Sequence, residues 1–211
     1  MMTNVTHTRK PKSVQLAVIS VWIVACLAAL GSAAEAFVTI FGRTPLAFGG
    51  ADPRVQLVML PQINQAELRE GAVGYLVDIP LWLRVLCATP ALLYIVLALV
   101  AAFLIARVLR EISAGRPFTA RVRKNLLALS FLLIGAGLLY GTLDATANRA
   151  VFEVASNFGT EGFPLGADYA VISTDAPRWP YFMITSGVVG LALSSAFKAG
   201  GRLQEEMDGL V

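Results

Sequence analysis

Residues 86–108 read LCATPALLYIVLALVAAFLIARV: 23 positions whose single charged residue, Arg107, lies at the far end. A helix of this length rises about 35 Å at 1.5 Å per residue, enough to cross a bilayer core of roughly 30 Å. Three further stretches, 14–41, 126–147 and 181–197, share this character. The chain has 211 residues, 56% of them hydrophobic and only 15% charged. Soluble domains run nearer half apolar and about a quarter charged. The apolar excess sits in the four stretches, so the sequence predicts an all-α membrane bundle of four transmembrane helices.

Four spans leave five polar segments, 1–13, 42–85, 109–125, 148–180 and 198–211, and their charges predict the topology. The first carries Arg9, Lys10 and Lys12 without an acid. The third carries Arg110, Arg116, Arg121, Arg123 and Lys124 beside Arg107, against the one acid Glu111. Basic loops stay in the cytoplasm, which puts both termini inside a plasma membrane, with Lys198 and Arg202 in the final segment. The sequence pI near 9.1 is thereby explained by topology, and no direct nucleic-acid binding is expected. Arg9-Lys10-Pro11-Lys12, an apolar run and Ala34-Glu35-Ala36 also have the order of a cleavable signal peptide. The run from Val14 to Gly31 exceeds the usual apolar region of about 7–15 residues, so a retained span is the preferred reading and cleavage its alternative.

The two outer segments contain β-favouring runs: Val55 to Leu60 before Pro61, Ala72 to Ile79 before Pro80, and Tyr169 to Ser173. Gly49-Gly50, Gly159, Gly162-Phe163-Pro164 and Pro177 punctuate them. Three strands lying on the bundle predict a small extracytoplasmic β cap formed by the two outer loops.

Close backbone approach marks the inward faces of helices in lipid. Ala25, Ala28, Ser32 and Glu35 form one such stripe. Gly137, Gly141, Asp144 and Asn148 form a second, and Gly187, Gly190 and Ser194 lead to Lys198. The Gly137-x-x-x-Gly141 pair reads as packing within the bundle, with a homo-oligomer as the alternative. Glu35 and Asp144 each lie about 20 residues, roughly 30 Å, from the cytoplasmic ends of their spans, so both should sit near the outer surface. Arg84 and Arg149 are candidate partners. Glu35, Arg84, Asp144 and Asn148 therefore form a candidate polar cluster. It reads either as interfacial charges that cap helices and hold the β cap, or as a site for an ion, a small cationic ligand or a pH response.

The loop Arg110-Glu111-Ile112-Ser113-Ala114-Gly115-Arg116-Pro117-Phe118 and the tail Lys198-Ala199-Gly200-Gly201-Arg202-Leu203-Gln204-Glu205-Glu206 carry a resemblance. With four spans and a long first outer loop, the chain resembles the bacterial domain-of-unknown-function family number 2975 over nearly its whole length. That family's tail usually continues with an Asn-Asp-like pair; here Met207, Asp208 and Gly209 fill the stretch. Members are often encoded beside a small helix-turn-helix regulator, so the resemblance implies a cytoplasmic transcriptional regulator as partner.

Pro117 is expected to stop the helix leaving the second span. Phe118, Arg121, Arg123 and Lys124 then meet the lipid headgroups. Phe197, Leu203, Met207 and Leu210 recur at near-helical spacing, giving a short amphipathic tail interrupted by Gly200-Gly201. That tail, with Leu203, Gln204, Glu205 and Glu206, either lies on the membrane or docks a partner.

No phosphate-binding loop, dinucleotide glycine pattern, zinc helix or nucleophile elbow occurs, and the single histidine, His7, lies in the polar N-terminal segment. No cofactor and no catalytic constellation is expected. Cys26 and Cys87 read as small apolar packing residues. The surviving functions are a membrane sensor or regulatory protein, a small transporter or channel component, and a structural subunit of a membrane complex.

Overall fold

The computed structural model describes residues 12–45, 52–156 and 168–208. Four helices carry the chain: α1 Lys12–Phe41, α2 Leu81–Ser113, α3 Ala120–Ser156 and α4 Tyr181–Asp208. Each holds a segment long and apolar enough to span a membrane, with mean hydropathies of 2.3, 2.7, 2.1 and 1.4 in chain order. Two strands, β1 Ile63–Leu68 and β2 Tyr169–Thr174, pair antiparallel. One comes from each of the segments 42–85 and 148–180, so the β cap is formed by both. The runs around Gly159 and Gly162 lie outside the described residues.

The helices pack as an open row, α1 on α2, α2 on α3 and α3 on α4. Among the described residues, α1 and α4 do not pack along their lengths, so the row is not closed into a ring. Glycines set the α3–α4 contact. The Ile184 side chain fills the space over Gly137, and Gly187 and Gly190 lie against Ser130. The Gly137/Gly141 face is thus covered by this chain's own α4 and the residues leading into it.

α2 contains Pro90, whose missing N–H frees the Leu86 carbonyl four residues earlier. The Thr89 hydroxyl donates to that carbonyl at 2.6 Å, which keeps the apolar helix free of an unsatisfied acceptor. The end of α2 differs from the expectation that Pro117 stops it. The Gly115 N–H bonds the Ile112 carbonyl and the Arg116 N–H the Glu111 carbonyl, with Gly115 at φ +73°: a Schellman motif that ends the helix before the proline. Residues 114–119 then turn directly into α3, where a 17-residue loop (109–125) was expected.

Only the third expected strand forms. Val55 to Leu60 and Ala72 to Ile79 contribute the single bridge Gln56↔Tyr75 and then wind into 3-10 turns, Leu57–Met59 and Leu76–Asp78. The two segments share a pattern, Leu57-Val58-Met59-Leu60-Pro61 and Leu76-Val77-Asp78-Ile79-Pro80. Apolar residues three apart fall on one face of a 3-10 turn. Leu57 and Leu60 are accordingly buried together, as are Leu76 and Ile79. These four pack with Leu83 and Cys87 of α2, Ala147 and Val151 of α3, and Tyr169 of β2. Cys87 is a buried packing residue, whereas Cys26 is exposed on the bundle surface. The unexpected strand β1 is polar, and β2 supplies the pairing that its composition does not predict.

Candidate functional site

Asp144 is 3% exposed and accepts two hydrogen bonds where α3 meets the cap. Gln62 Nε2 donates to Oδ1 at 3.2 Å and the Arg178 backbone N–H to Oδ2 at 2.7 Å. Gln62 Nε2 also reaches the Cys87 carbonyl, at 3.3 Å. One turn further along α3, Asn148 Nδ2 donates to the Asp175 carbonyl, and one turn back Gly141 receives the Trp179 ring. The Gly141–Asp144–Asn148 stripe therefore grips the connector from β2 to α4 at three successive places. Spacings of three and four put these residues on one face, and each holds a different connector residue.

Arg84 lies elsewhere. Its Nη1 donates to the Ile40 carbonyl at 2.6 Å and its Nε to the Ile79 carbonyl at 3.1 Å. The Ile40 carbonyl belongs to the last turn of α1, where carbonyls lack helical partners, so Arg84 caps α1 and ties it to the cap. It pairs with neither Glu35 nor Asp144. Arg149 is also spent elsewhere, on Glu153 one turn along α3 at 2.9 Å.

Among the described residues Glu35 has no hydrogen bond or direct ion pair, and Arg178 and Asp144 act on it at longer range. The two charges line one cavity of about 360 Å³ that occupies the gap left where α1 and α4 fail to close. Tyr94 of α2, Tyr140 of α3 and Trp179 of the connector add aromatic surface to it. The Arg178 guanidinium pairs with Asp175 Oδ2 at 3.1 Å and acts on Glu35 only at longer range, so Glu35 is the charge of this cavity without a direct partner among the described residues. Arg178 thus touches Asp144 through its backbone N–H and acts on Glu35 through its side chain. Tyr94, Tyr140, Trp179 and Arg178 escaped the sequence reading because they come from three separate segments.

At the opposite end, the Phe118 ring packs over Gly200 and beside Phe197, with ring centroids 5.7 Å apart. α4 runs unbroken through Gly200-Gly201, contrary to the expected interruption. The glycines make room for Phe118, since a Cβ on Gly200 would stand 2.6 Å from its ring. Arg121 pairs with Glu111 at 2.9 Å and joins the start of α3 to the end of α2. Pro117 and Arg123 are half-buried, while Lys124, Leu203, Gln204 and Glu206 are exposed, and the Glu205 side chain lies outside the described set.

In the cap, Arg54 holds the Asp52 carboxyl down at about 2, through a 2.6 Å ion pair. Its guanidinium also stacks on the Tyr75 ring at 4.0 Å, and the Tyr75 hydroxyl donates to Asp52 at 3.3 Å. Among the described residues no group of three His, Cys, Asp or Glu could hold a metal ion.

Comparison with protein-family models, curated proteins and solved structures finds no match. The four apolar helices are consistent with a multi-pass membrane protein.

Proposed function

We propose that this chain is a membrane sensor that takes a small organic cation in the Glu35 cavity and reports it to a cytoplasmic partner at the opposite end. The reading rests on one observation: a carboxylate with no direct partner among the described residues, in an aromatic-lined cavity between helices. A carboxylate in apolar surroundings gains from a cation, and the faces of Tyr94, Tyr140 and Trp179 add attraction for an ammonium group. Both termini are assigned to the cytoplasm by the positive-inside rule. The output surface is the Phe118–Gly200 contact with the exposed Leu203 and Gln204 beside it. The partner suggested by the family resemblance is a helix-turn-helix transcriptional regulator.

The test uses the protein in lipid nanodiscs with tetramethylammonium as probe. A rise in thermal stability that is absent in Glu35→Gln is the expected result, and equal responses of both proteins would sink the reading. Flux of the probe into proteoliposomes, absent in Glu35→Gln, would replace the sensor with the transporter alternative.

A further inference from the structure

A second space lies beside the Glu35 cavity. A groove of about 400 Å³ runs between α1 and α2, and Tyr94 lines both it and the cavity. On α1 the lining includes Glu35, Ser32, Ala28, Ala25 and Val21, at steps of three and four, with Val24 and Ser20 beside them. On α2 it includes Ala91, Tyr94, Ala98, Ala101 and Ile105, at the same steps, with Ala102 beside them. One face of each helix therefore lines two spaces that meet at Tyr94, polar at the cap end and mainly apolar along the rest. From Glu35 to Val21 the lining covers about 21 Å of helix. This exceeds the roughly 15 Å depth of one leaflet's hydrocarbon.

The geometry points to a single-chain cationic amphiphile as the ligand, with its ammonium head at Glu35 and its alkyl tail along the alanine-lined groove. This rests on the cation reading of the Glu35 cavity and adds the tail. The Glu35 carboxylate, without a direct partner among the described residues, selects the charge of the head, and the rings of Tyr94, Tyr140 and Trp179 suit an alkylammonium. The short side chains of Ala28, Ala98 and Ala101 leave open the groove beside the α1–α2 contact, which larger side chains would fill. The groove is open to the side, as the exposure of Val24 at 66% indicates, so the ligand enters from the bilayer. Lipid surrounds the tail before and after binding, so hydrophobic transfer adds little. The tail concentrates the head at the depth of Glu35 and fixes its orientation.

Two long-chain alkyltrimethylammonium probes test this in nanodiscs, one with a photoreactive diazirine beside the ammonium and one with it at the chain terminus. The head probe is expected to label the Tyr94, Tyr140 or Trp179 peptides, and the tail probe residues near Val21 and Ile105. Glu35→Gln should reduce both by about tenfold, the equivalent of one charge-assisted contact. Ala98→Phe should abolish groove labelling by the tail probe while head labelling persists. Ala101→Ile serves the same purpose with a smaller insertion, and both variants are first checked for native helicity and a monodisperse elution. Head labelling at the cavity with tail labelling scattered over Leu27 and Leu30 would overturn the amphiphile and leave the cation site standing. Labelling indifferent to Glu35→Gln with both probes would overturn the cation site and the amphiphile together.

Discussion

The backbone N–H of Arg178 donates to Asp144 Oδ2 at 2.7 Å, while the Arg178 side chain lines the cavity that holds Glu35. A single connector residue thereby links a buried carboxylate that serves the architecture to one that faces open space without a direct partner among the described residues. The two acids look alike in sequence, both ending small-residue stripes, but their surroundings give them different work.

Removing the Asp144 acceptor should loosen the connector. In Asp144→Ala, the Arg178 N–H and one Gln62 donor lose their partner in a buried setting, at a cost of roughly 1–3 kcal/mol. Thermal unfolding in detergent measures the loss. Hydrogen exchange should localise it, with faster exchange at the Arg178 amide and little change along α1.

The contact of Gly141 with Trp179 should tolerate no side chain. A Cβ at Gly141 would stand 2.3 Å from the indole ring, so Gly141→Ala is expected to cost about 1–3 kcal/mol by overpacking and to shift the Trp179 fluorescence. Gly135 lies on the same helix with nothing within 4 Å. Gly135→Ala should be neutral or stabilise by up to about 1 kcal/mol. Equal behaviour of the two variants would contradict this packing.

Phe118 and Gly200 should behave as one contact. Gly200→Leu displaces the Phe118 ring and should expose α4 beyond Phe197 to limited proteolysis, and Phe118→Ala should do the same. Combining the two should add little, because each removes the same interaction.

Acid should weaken the cap through Asp52. Its carboxyl is held at about 2 by Arg54, below the ordinary value of 3.8. The folded state thus binds the proton less readily than the unfolded chain. The stabilisation is present above the ordinary value and is lost as pH falls from about 4 through about 2. Hydrogen exchange at the Val55 and Leu76 amides across this range should accelerate in the native protein. The pH dependence should flatten in Asp52→Asn.

Four apolar stretches, the inward stripe ending in Asp144 and Asn148, and a cap drawn from both outer loops were legible in the sequence. Each depends on local periodicity or on the length needed to cross a bilayer. The 3-10 turns were legible in principle, through the repeat of Leu57–Pro61 in Leu76–Pro80. The period of three passed for a strand because the residues are β-favouring. The polar strand β1 carried no such signal.

By itself the sequence determined the number of spans and the face that α3 turns inward, because the hydrocarbon solvent constrains every residue along a span. Only the tertiary structure decided which charges meet. Arg84 went to the carbonyls of Ile40 and Ile79 rather than to an acid, since unpaired carbonyls at a helix end compete for the same donor. Glu35 has no direct partner among the described residues because α1 and α4 stand apart. The closure of a helix row depends on contacts between residues distant in the chain, and no local pattern encodes it.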